Sequence, residues 1–204
     1  MKQMVLLTLL VCVTATAQGQ TSGSSPANLQ CTLSIAQLPE IRGVRLGMSA
    51  DKLAAVFPED DNRISIDRAV KESKRVDNYG DARFTLQPNK EAPNPKFSGV
   101  NWIAVEILDE HVASFQVSYV GPEWNNVDQF IAKVADAFHL PTGSPWGSVS
   151  EFQKALKCDG FVISAFVTNN SNNPRVMVGD VSTAKIVHDR REAAKERERQ
   201  AFKP

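Results

Sequence analysis

Histidine, tyrosine and cysteine are scarce in this 204-residue chain, with three, two and three copies. Each scarcity closes a line of chemistry. His111, His139 and His188 are scattered, and no two stand at the spacing that sets imidazoles around one metal. The acidic run Glu59-Asp60-Asp61-Asn62 lacks the alternating ligands and the glycine of a calcium loop, so it reads as a solvated turn. Neither a Gly-x-Ser-x-Gly elbow, nor a phosphate loop, nor a dinucleotide fingerprint occurs. Gly143-Ser144-Pro145-Trp146-Gly147 sets a serine beside glycine, yet nothing marks it as activated. The sequence thus nominates no catalytic residue, no metal ligand and no cofactor, and it reads as a non-enzyme. An excess of charge is missing too. Basic and acidic residues number 23 each, so no electrostatic field gathers nucleic acid or an anionic membrane surface.

A membrane-length apolar run is also lacking. Lys2 precedes an apolar stretch over residues 4–13, and Ala15-Thr16-Ala17 has the small-x-small form of a signal-peptidase site. The stretch is about half of the roughly 20 residues that a spanning helix needs. Residues 1–17 are therefore expected to be a secretory signal peptide, and the protein to be exported, periplasmic or extracellular. Cys12 lies inside the apolar run behind Val11, which does not suit lipoprotein cleavage. Its removal leaves Cys31 and Cys158 as an even pair, expected to form a disulfide in an oxidising compartment. Closing so long a loop stabilises by about 4 kcal/mol in the chain-entropy account.

What remains is enough for one core. Residues 18–30 are polar and small, too poor in apolar surface to order themselves, and read as a flexible leader. Residues 31–183 read as a single α+β domain and residues 184–204 as a charged helical tail. Ser49 caps a short helix that carries Leu53, Val56 and Phe57 and stops at Pro58. Strands are predicted over 64–70 and 82–86, then a hairpin over 100–108 and 112–120. In its second arm Ala113, Phe115, Val117 and Tyr119 alternate with Ser114, Gln116 and Ser118, so one face is buried and the other wet. Val127, Phe130, Ile131, Val134 and Phe138 give a second helix. A glycine- and proline-bearing loop follows through Gly147, then strands over 152–157, 161–167 and 175–181. The expected fold is an antiparallel sheet with two short helices packed on one face, plus the charged C-terminal helix. Helix, proline stop and strands occur twice, so residues 43–120 and 121–181 read as an approximate tandem duplication.

Leu46-Gly47-Met48-Ser49, followed by Leu53 and Phe57-Pro58, resembles the Gly-Met-Ser/Thr helix start of the periplasmic SmpA/OmlA (BamE-like) domains and of the related tandem β-lactamase-inhibitor-protein architecture. That resemblance implies two short helices against a small antiparallel sheet. It also implies work done by binding other proteins, in outer-membrane barrel assembly or in enzyme inhibition.

Trp102, Trp124 and Trp146 are the candidate binding residues. They flank the hairpin and the second helix, and indole faces stack on sugars and anchor interfaces. The expected function is that of an exported, non-enzymatic binding or cell-envelope accessory protein, with another envelope protein as partner. The alternatives are a glycan- or polymer-binding module using the tryptophans, or an enzyme of unrecognised type.

Overall fold

The computed structural model describes residues 31–90, 92–143, 145–168 and 171–202. The expected signal peptide and leader lie outside these residues. Seven antiparallel strands form one sheet: β1 (Asp81–Leu86), β2 (Val100–Leu108), β3 (His111–Tyr119), β4 (Trp146–Ser150), β5 (Gln153–Lys157), β6 (Phe161–Thr168) and β7 (Ser171–Asp180). Their order is β1-β2-β3-β7-β6-β5-β4. The sheet is thus two meanders whose last strands lie side by side, Ser114–Ser118 of β3 against Arg175–Gly179 of β7.

The helices are α1 (Ala50–Val56), α2 (Asp60–Ser73), α3 (Val127–Phe138) and α4 (Thr183–Ala201). α1 starts as its sequence dictates: Ser49 Oγ accepts from Lys52 N at 3.4 Å, and Asp51 stands in the first turn. Ahead of it, Ile41 and Val44 pair across a turn in which Arg42 and Gly43 both have positive φ. Gly43 is needed there twice over, since a Cβ would also press on Val56 Cγ1 at 2.8 Å.

α2 corrects the strand expected over residues 64–70. Pro58 stops α1, but Asp60 and Asp61 then open a new helix in its first turn. Asn62, Ile66, Ala69 and Ser73 are buried at helical spacing, whereas β-branched Ile64 is 53% exposed. Three helices, α1 to α3, therefore join the core in place of the expected two.

That core is a single cluster of the inward-facing strand residues and the helices. Ile103, Val105, Ile107, Phe115, Val176 and Ile163 fill its centre. Phe57 and Phe97 stack within it, ring centroids 4.9 Å apart. Cys31 and Cys158 are bridged across 127 residues of sequence with Cα atoms 4.7 Å apart, tying the segment before α1 to the β5–β6 turn. Among the described residues no helix is long and apolar enough to cross a membrane.

Candidate functional site on the open face of the sheet

Strand side chains alternate between faces, so the residues between the core positions form the other face. The strand register arranges them in rows across the sheet. One row runs Trp102, Ser118, Arg175, Phe166; the next runs Ala104, Gln116, Met177, Ser164; the third runs Arg83, Glu106, Ser114, Gly179. The core helices leave this face bare. α4 crosses one end of it with Thr183 and Val187 buried, and the cleft between helix and sheet measures about 760 Å³. Ala104, Gln116 and Met177 line its floor, while Ala184, His188 and Arg191 line its wall. The face expected to be wet is thus partly covered, and Ser114 and Gln116 are only half-exposed.

α4 is latched by one arginine. Arg190 donates from Nη1 to the Tyr79 carbonyl at 2.8 Å, and from both terminal nitrogens to the Asp109 carboxylate at 2.8 and 2.7 Å. Asp109 sits in the two-residue β2–β3 turn, where it and Glu110 both have positive φ. Gly80 makes room for the latch, since a Cβ there would collide with Asp109 Oδ1 and Arg190 Nη1. The hydrogen bond from Arg190 holds the Asp109 carboxyl below the ordinary carboxylate range. Arg191 lies with its guanidinium carbon 5.6 Å from the Tyr79 ring centre.

Two carboxylates stand at the cleft and differ in their partners. Glu106 accepts from Arg83 Nη2 at 2.8 Å on one oxygen and from Ser114 Oγ at 2.8 Å on the other. Asp81 beside it keeps Oδ1 buried without a hydrogen-bond partner among the described residues. Burial first, and then the Glu106 charge, push its carboxyl above the usual range.

The fold does not bring the three tryptophans together. Trp146 is 5% exposed and faces the core, its Nε1 donating to the Pro141 carbonyl at 2.7 Å. Trp124 packs on Phe130 with ring centres 5.5 Å apart. Trp102 alone belongs to the open face, where the Arg175 guanidinium carbon lies 5.6 Å from its ring centre. A shared indole platform is therefore replaced by a single tryptophan–arginine pair. The polar positions of β3 were the signal that marked this face. Nothing near Arg175, Arg190 or Glu106 in sequence showed that strand order and a returning helix would assemble them.

The chain was compared with family models, curated proteins and solved structures, and none matches.

Proposed function

We propose that this is an exported, non-enzymatic binding protein of the cell envelope, and that it holds another protein on the open face of its sheet. The observation that carries the reading is that face itself: rows of mixed polar, aromatic and apolar side chains, from Trp102 to Phe166 and from Ala104 to Ser164, left uncovered by α1 to α3. Beyond the cleft under α4, rows that run across four strands offer an extended surface of the kind that protein partners share, about 800 Å² a side. The Cys31–Cys158 bridge supports an oxidising compartment. The capped start of α1 at Ser49 is the feature on which the SmpA/OmlA resemblance rests. A protein is favoured over a glycan because Trp146 is buried, Trp124 packs on Phe130 and Trp102 has a guanidinium against its ring.

A photo-crosslinking residue at Gln116 tests this in the protein's own envelope extract, with the same residue at exposed Lys52 on α1 as control. A reproducible protein adduct from position 116 alone is expected. No adduct, or the same adducts from both positions, would sink the proposal.

A further inference from the structure

Of the arginines on the open face, Arg83 and Arg190 each meet a carboxylate of the chain itself. Arg175 does not. Its strand neighbour Ser118 separates it from Trp102, and the guanidinium reaches across that serine to the indole. Ser118 is sealed beneath, 0% exposed. Its Oγ and the Arg175 Nε are both buried with no hydrogen-bond partner among the described residues. A buried donor left unsatisfied is costly. The contact with the indole restrains the guanidinium, so less side-chain freedom is lost when a carboxylate arrives. Phe166 follows Arg175 in the same row, Met177 and Gln116 lie in the next, and Val120 at the end of β3 is 61% exposed.

We propose that Arg175, braced on Trp102, receives an aspartate or glutamate side chain projecting from a protein partner, with apolar partner residues beside it on Phe166 and Met177. This rests on the reading of the open face as a protein-binding surface. A protein is favoured over an acidic polysaccharide because the guanidinium already occupies the indole on which a sugar ring would stack.

The test is selection of random dodecapeptides, displayed on phage, against the folded, disulfide-bonded protein. Enriched peptides are expected to share an acidic residue flanked by apolar ones. The best synthetic peptide should bind Arg175→Gln about tenfold or more weakly, as should its own Glu→Gln or Asp→Asn form on the unaltered protein, with little further loss when both changes are combined. The peptide-side change keeps the test valid if Arg175→Gln folds poorly. Peptides that Gln116→Arg displaces but that bind Arg175→Gln unchanged would overturn the inference and leave the protein-binding reading standing. No enrichment at all overturns both, and retention of polygalacturonate by the native protein but not by Arg175→Gln would assign the site to a polysaccharide.

Discussion

Adjacent residues of β3 face opposite worlds. Phe115 and Val117 point into a dry core, whereas Gln116 and Ser118 point to the open face beside Met177 and Arg175. On the first face each side chain is held by shape, and the strands satisfy their polar groups in the ladder. Buried polar atoms without a hydrogen-bond partner among the described residues occur at Ser118, Arg175 and Asp81 on the second, and also at Arg42 and Trp124 on the core side. Such exceptions are costly and rare in folded proteins, and on the second face two of them, at Ser118 and Arg175, stand side by side across the β3–β7 seam.

The contrast is broken most directly at Phe115. Phe115→Ala should destabilise by about 3–5 kcal/mol, read as a fall in the denaturation midpoint. Losing the Cys31–Cys158 bridge by Cys31→Ser should cost about 2–5 kcal/mol, and reductant should produce the same loss in the native chain but none in the variant. The α4 latch is half-exposed, so after solvent screening Arg190→Gln should cost only about 0.2–1 kcal/mol, while shifting the backbone resonances of α4 toward those of a free helix. Gln116→Ala, one residue from Phe115, should change stability by less than about 0.5 kcal/mol. An effect there as large as that of Phe115→Ala would abolish the distinction between the faces.

Two aspartates at the α4 end sharpen the comparison through pH. Asp109 has a depressed folded-state pKa, so its contribution is complete above the ordinary carboxylate value and is lost as pH falls through the depressed one. Asp81 has a raised pKa, so its contribution is complete below the ordinary value and is lost as pH rises through the raised one. Acidification should therefore release α4, as seen in its NMR shifts, and Arg190→Gln should remove that transition. Asp81→Asn should instead remove a decline in stability on the alkaline side of the carboxylate range.

Local rules carried most of the fold. Alternation in β3 and the apolar stripe of α3 placed those elements, and Ser49 placed the start of α1. α2 was hidden because two of its four buried positions, Asn62 and Ser73, are polar. Asn62 earns its burial by accepting from Gln87 N at 2.9 Å, a partner that no local pattern reveals. β4 was hidden for the opposite reason: it is an edge strand, and Gly147, Ser148, Val149 and Ser150 are all exposed, so no alternation marks it. The charged tail concealed a docked helix because only Thr183 and Val187 are buried along α4. The site was least legible, since its rows join residues from both meanders.

That seam between β3 and β7 also sets the order in which the molecule comes together. Within each meander, strands pair with their neighbours in sequence, a cheap closure. The seam joins residues 114–118 to 175–179 and must wait for the longer loop to close. Trp102 and Arg175 stand on opposite sides of it, so they meet only when the two halves do. A carboxylate held by Arg175 on Trp102 would therefore report that the two halves have joined.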